Sequence, residues 1–210
     1  MFLCITDLFK AFSELNFTDA KNIKSIFFGH SLGGIVAFEL SRLFENLKFK
    51  FPSQLIISSV KHPNLLTSLN LDENYQKKYL LSDNNLFEHI EAIGGLPPGV
   101  HPDFLRISLK SIREDYKIFE SYSFENKSVI SIPITTMSGK IDQFAPAQSM
   151  YEWANYTSGN YNHYEFGDLF TGDHFYFNDR SLKDEVIQTI NLICCNITGI
   201  KFHYYLIMNN

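Results

Sequence analysis

The segment Gly29-His30-Ser31-Leu32-Gly33 constrains this chain more than any other feature. Before it, Ile23-Lys24-Ser25-Ile26-Phe27-Phe28 is short, β-branched and aromatic, the pattern of a buried strand. After it, Val36, Leu40, Leu43 and Leu47 recur at helical spacing, which predicts a helix from Gly34 to about Leu47. A Gly-x-Ser-x-Gly at such a junction puts the serine on a sharp turn above a sheet, with flanking glycines removing side chains that would clash. The helix N-terminus supplies positive potential, and the backbone N–H of Leu32 can point at a developing oxyanion.

The rest of the chain alternates strand and helix patterns, the signature of an α/β domain. Leu8–Leu15 fits a helical face, Gln54–Ser58 a buried strand, Ile132–Gly139 a third strand and Tyr161–Phe166 a fourth. Further helices are expected from Pro102 to about Tyr122, from Pro146 to Tyr156 and from Ser181 to about Cys195. Between Lys61 and Asp103 the rhythm changes. Two short helical patterns, Asp72–Leu81 and Asn84–Ile93, end at Gly94-Gly95 and Pro97-Pro98, which reads as a helical insertion. The expectation is one domain over 1–210 with a lid at about 61–103 and an unassigned tail at 196–210. A domain of 210 residues buries roughly 70% of its unfolded surface, so no metal or disulfide staple is needed. Cys4, Cys194 and Cys195 have neither disulfide nor zinc spacing, and reduced thiols in a cytoplasmic protein are expected. No metal and no cofactor is expected. A net charge of −5 argues against nucleic acid, and no apolar stretch reaches the roughly 18 residues of a membrane span.

A serine hydroxyl needs a base, and the base an orienter. In this arrangement the chain order is Ser, then an acid, then His. His62, His89 and His101 fall in or beside the insertion, His163 lies within a strand and His203 is in the tail. His174, in the loop Gly172-Asp173-His174-Phe175, is the expected base. Asp142 follows strand Ile132–Gly139 and is the expected orienter; Asp168 and Asp173 are weaker candidates because they crowd His174 in one short loop.

These residues, with what lies between them, resemble the type II thioesterase family, whose members act beside fatty acid, polyketide and non-ribosomal peptide synthases. Phe27–Gly34 with Ala37-Phe38-Glu39-Leu40 is similar to the family's nucleophile elbow and the helix behind it. Ile93–Pro98 is similar to the end of its lid, and Ile112–Tyr116 to the helix that returns to the sheet. Gly139–Asp142 and Gly172–Phe177 are similar to its Asp and His motifs; Thr157–Asn160 with His174–Tyr176 leans towards the animal fatty acid synthase branch. The resemblance implies an α/β-hydrolase fold with a mostly parallel sheet and a helical lid. It also implies acyl-thioester hydrolysis in which Ser31 attacks, His174 carries the proton and Asp142 holds the imidazole. The donor would be an acyl chain on the phosphopantetheine arm of an acyl carrier protein, the enzyme a monomer, and Lys77, Lys78, Arg106 and Lys110 candidates for a local basic patch.

Two departures stand out. Fewer than three dozen residues precede Ser31, so the fold is expected to be N-terminally incomplete, lacking the family's first strands. The loop that would donate a second oxyanion N–H is then absent, and one such donor is worth roughly 10²–10³ in rate. Segment Ile23–Phe28 is expected to form an apolar sheet edge. A truncated hydrolase that binds acyl groups or a partner without turnover, and an oxygen-ester esterase sharing the triad, are the alternatives.

Overall fold

A computed structural model describes residues 5, 7, 9–11, 24–49, 52–96, 99, 101–125 and 128–199. Strands β1 (Ile26–His30), β2 (Gln54–Ser58), β3 (Ile134–Gly139) and β4 (Tyr161–Phe166) form one sheet in that order, every neighbouring pair parallel. Helix α1 (Leu32–Asn46) connects β1 to β2. Helices α2 (Pro63–Leu71), α3 (Asp83–Ala92) and α4 (Pro102–Phe119) lie between β2 and β3. Helix α5 (Ala147–Tyr151), extended by a 3-10 turn, leads to β4, and α6 (Lys183–Thr198) follows the loop after it.

Every residue of β2 and β3 is buried, as a parallel sheet covered on both faces requires. The two-residue period of a strand sorts them. Leu55, Ile57 and Ile134 meet Ile35 and Phe38 of α1 and Met150 and Trp153 of the α5 region. Ile56 and Met137 face the other way, onto Phe166, Tyr176 and the Val186–Ile193 face of α6. A separate cluster joins Leu86, Phe87 and Ile90 of α3 to Leu105 and Leu109 of α4, so the insertion shares its core with the returning helix.

The sequence reading missed α2 and misplaced a helix at Asp72–Leu81, where the structure has only a 3-10 turn at Lys78–Leu80. The helix starts earlier because Pro63 occupies its first turn and the His62 ring accepts the Leu65 N–H at 3.4 Å. Glu120 then accepts the N–H groups of Lys78 (2.8 Å) and Tyr79 (3.3 Å), competing with a helix for those donors. Helix α4 ends at Phe119, short of Tyr122. Helix α6 continues through Thr198 and stops at Gly199, whose φ of +69° suits glycine. Asn196, Ile197 and Thr198 therefore belong to a helix, and Ile197 packs on the α6 core. The expected helix at Leu8–Leu15 lies largely, and the tail from 200 onward wholly, outside the described residues. Among the described residues β1 is one edge of the sheet, with Phe28 exposed.

Candidate active site

Ser31 sits between β1 and α1 with φ 52° and ψ −124°, a conformation that non-glycine residues rarely adopt. Close packing holds the turn. The Ser31 N–H donates to the Ser58 carbonyl at 2.8 Å, and a Cβ on Gly29 would lie 2.1 Å from the Gly33 oxygen. A Cβ on Gly34 would lie 2.8 Å from Val60 Cγ1. At Gly33 a Cβ would meet nothing described within 4 Å, so the steric need falls on Gly29 and Gly34 rather than on both motif glycines. As the first residue of α1, Leu32 has no intrahelical acceptor for its N–H.

The structure brings His174 and Asp142 together. His174 Nδ1 lies 3.0 Å from Asp142 Oδ2, both side chains are buried, and Nε2 is left as the ring's second nitrogen. Asp142 Oδ1 accepts the N–H groups of Phe144 (2.8 Å) and Ala145 (3.0 Å), which fixes the carboxylate on the loop after β3. Burial pushes this carboxyl upward. The His174 hydrogen bond and charge, the Ala145 N–H and Ser59 together outweigh it and hold the group below its usual value. The His174 ring is walled by His30 and Phe144 at 4.9 Å and by Phe175 at 5.0 Å between ring centres. Since His30 precedes Ser31, this tilted ring contact brings the serine turn to the His174 loop.

The other candidates are occupied elsewhere. Asp168 Oδ1 caps its own exposed loop through the N–H groups of Phe170 and Thr171. Asp173 Oδ1 accepts the Phe175 N–H at 2.9 Å. His163 binds Thr136 Oγ1 (2.8 Å) and is pushed down by burial, a strand histidine as the sequence suggests. His62 and His89 pair with the hydroxyls of Tyr156 and Tyr116. His101 caps α4, and His203 lies outside the described residues.

Three neighbours escaped the sequence reading. Ser58 ends β2 and Ser59 follows it; Ser59 has φ 49° and a buried hydroxyl outside hydrogen-bond geometry to any described group, yet it helps to hold Asp142 low. Lys61 Nζ makes a short hydrogen bond to the Phe144 carbonyl and lies 4.6 Å from that ring's centre. Burial lowers its ammonium while Asp142 acts against the shift, and its bond to the Phe144 carbonyl ties Lys61 to the loop that follows Asp142. The available signal was a lone lysine three residues after the strand pattern Gln54–Ser58. Among the described residues no group of three His, Cys, Asp or Glu side chains could hold a metal, and no helix is long and apolar enough to cross a membrane.

Residues 26–194 match the family described as Thioesterase domain. Over 156 residues the chain is 31% identical to "Thioesterase PikA5" of Streptomyces venezuelae, covering 73% of this chain and 52% of that protein. It is 28% identical over 169 residues to "Gramicidin S biosynthesis protein GrsT" of Aneurinibacillus migulanus, covering 80% of this chain and 61% of that one. The solved structure of ClbQ, from the colibactin NRPS/PKS pathway, superposes with a TM-score of 0.73 at 23% identity, over 92% of this chain and 76% of its own. The fold is that of the α/β-hydrolases. The chain spans between about half and three fifths of the length of these two curated relatives.

Proposed function

The chain belongs to the thioesterase family, and from that premise we propose that it hydrolyses acyl thioesters, releasing an acyl chain from the phosphopantetheine arm of a synthase's acyl carrier protein. The observation that carries this reading is the buried Asp142–His174 pair, 3.0 Å apart, with the His174 ring in contact with His30 beside the serine turn. In the proposed mechanism Ser31 Oγ attacks the thioester carbonyl while His174 Nε2 takes its proton. The carbonyl oxygen becomes an oxyanion facing the Leu32 N–H at the start of α1. Collapse expels the thiol, which receives the proton from His174. His174 then deprotonates a water, whose oxygen attacks the acyl-serine, and the acid leaves as Ser31 recovers its proton. Asp142 stabilises the imidazolium in both halves and keeps Nδ1 protonated.

The fatty acid, polyketide and peptide synthase settings belong to this proposal, as do the single-domain organisation with a lid at about 61–103 and a cytoplasmic, monomeric enzyme. ClbQ's NRPS/PKS setting supports a carrier-bound substrate here. Of the four basic candidates for carrier docking, Lys77 already donates to the carbonyls of Asn70 (2.7 Å) and Glu120 (3.3 Å). Arg106 covers the Phe87 ring at 4.6 Å. Arg106 and Lys110, both exposed on α4, are better placed to meet an acidic carrier.

The test is hydrolysis of an acyl-carrier thioester alongside labelling by a fluorophosphonate. Ser31→Ala is expected to abolish labelling and to lower kcat/KM by roughly 10³-fold or more. Equal rates in wild type and variant would remove Ser31 from the mechanism. Binding of acyl groups by wild type with neither labelling nor turnover would favour the acyl-binding alternative.

A further inference from the structure

His30 stands in register with Ser58 across the β1–β2 pair, and its side chain enters a buried chain of three polar groups. His30 Nδ1 lies 3.0 Å from Ser58 Oγ, which lies 2.7 Å from the Tyr176 hydroxyl. Tyr176 stacks on Phe166 with planes 7° apart and belongs to the loop that carries His174. The Ser58 carbonyl also receives the Ser31 N–H. One residue at the end of β2 thus ties the serine turn to the histidine loop.

Counting protons fixes the direction of this chain. Ser58 is the described partner of the buried Tyr176 hydroxyl, so the phenol proton is used by donating to Ser58 Oγ. The Ser58 proton then goes to His30 Nδ1, and the neutral ring carries its own proton on Nε2. The reverse direction strands a phenol proton and a bare nitrogen together, two unmet groups instead of one. His30 Nε2 is buried and has no hydrogen-bond partner among the described residues, while its ring centre lies 4.9 Å from that of His174, tilted by 48°.

We propose that His30 is a positioning residue for His174: Tyr176 and Ser58 lock it as a neutral ring bearing an N–H dipole, which sets the orientation and basicity of the neighbouring base. The inference rests on the thioesterase reading of Ser31 and His174. Burial, with His174 charge adding to it and Asp142 opposing, pushes His30 down to about 3, so the ring stays uncharged wherever the enzyme works. A second imidazolium at this distance would repel the one formed on His174 during each transfer. The unmet N–H dipole has the same sign of effect on that imidazolium in weaker form.

The decisive measurement is an NMR titration of the imidazole side chains, with the His174 signal assigned by its loss in His174→Gln. His30→Phe removes the dipole. Tyr176→Phe removes one oxygen and frees His30 to move its proton to Nδ1, presenting a lone pair instead. Both are expected to raise the His174 midpoint by about 0.3 unit or more, and the acid limb of kcat/KM should move with it while KM holds within about twofold. His30→Gln, which retains a neutral N–H donor, is expected to shift it less. Besides Tyr176, the described ionisable groups around this pair include Asp142, Asp173, His89 and Lys61, and none of these four is altered. A smaller or downward shift in folded Tyr176→Phe overturns the proposal, even where His30→Phe fails to fold. Absence of thioester turnover in wild type would instead overturn the enzymatic reading, since the titration needs no activity.

Discussion

At Ser59 the backbone takes φ 49°, left-handed for a residue with a side chain, directly beside the Asp142 carboxylate. The strain costs on the order of 1 kcal/mol that glycine would not incur. The hydroxyl is what glycine lacks. Ser59→Gly and Ser59→Ala both remove the oxygen, but only alanine keeps the strain, so the two variants separate its uses. Both are expected to lose turnover by the same several-fold factor, while urea unfolding finds the glycine variant more stable than the alanine one by about 1 kcal/mol. A glycine variant with wild-type turnover would show that the hydroxyl does nothing for Asp142. Ser31 shares the same type of strain one strand away, and the two strained residues bracket the hydrogen bond from Ser31 N–H to Ser58.

Among the elements, α1 is held at both ends of its buried face. Near its start Ile35 and Phe38 fill the sheet core, and beyond them Glu39 anchors the segment that follows α4. Arg42 Nη1 donates to Glu39 at 2.8 and 2.7 Å, and the Tyr122 hydroxyl donates to Glu39 Oε1 at 2.7 Å. Arg42 also lies over the Phe124 ring, 4.8 Å from its centre. Glu39→Ala leaves a buried guanidinium and a buried phenol facing each other. The expected loss is about 2–4 kcal/mol in chemical unfolding, with little change in the turnover of the folded fraction. Loss below 1 kcal/mol would mean that water replaces the carboxylate. This network also shows where sequence reading stops. The β-branched and aliphatic residues within Gln54–Ser58 and Ile132–Gly139 identify β2 and β3, although Gln54, Ser58, Thr135, Thr136 and Ser138 are polar residues buried among them. The order Ser31, Asp142, His174 is legible for a similar reason, since each follows a recognisable strand. Contacts such as Glu39–Tyr122 or Ser59–Asp142 join positions more than 80 residues apart through strand register and helix packing. No local pattern encodes them, and α2 was missed because its start depends on His62 and Pro63 rather than on apolar periodicity.

Across the whole molecule, the helical insertion and the His174 loop meet at Gly94. This residue has φ +79°, and a Cβ built there would lie 2.1 Å from Asp173 Oδ2, one residue before His174. A Cβ on neighbouring Gly95 would lie 3.3 Å from the Phe175 ring. The end of the insertion therefore rests directly on the loop that carries His174, so that in the proposed mechanism a shift of α3 bears on His174 without a longer path. Gly94→Ala adds both strain and collision. Turnover is expected to fall about tenfold, and stability by roughly 1–2 kcal/mol. Asp173→Ala removes the atoms struck by the new methyl group but leaves the positive φ. The double variant should recover turnover beyond either additive sum while regaining only part of the stability. A double-mutant cycle in kcat/KM, run beside unfolding curves for all four proteins, measures both quantities. Additive losses in kcat/KM would show that the insertion and the histidine loop act independently despite their contact.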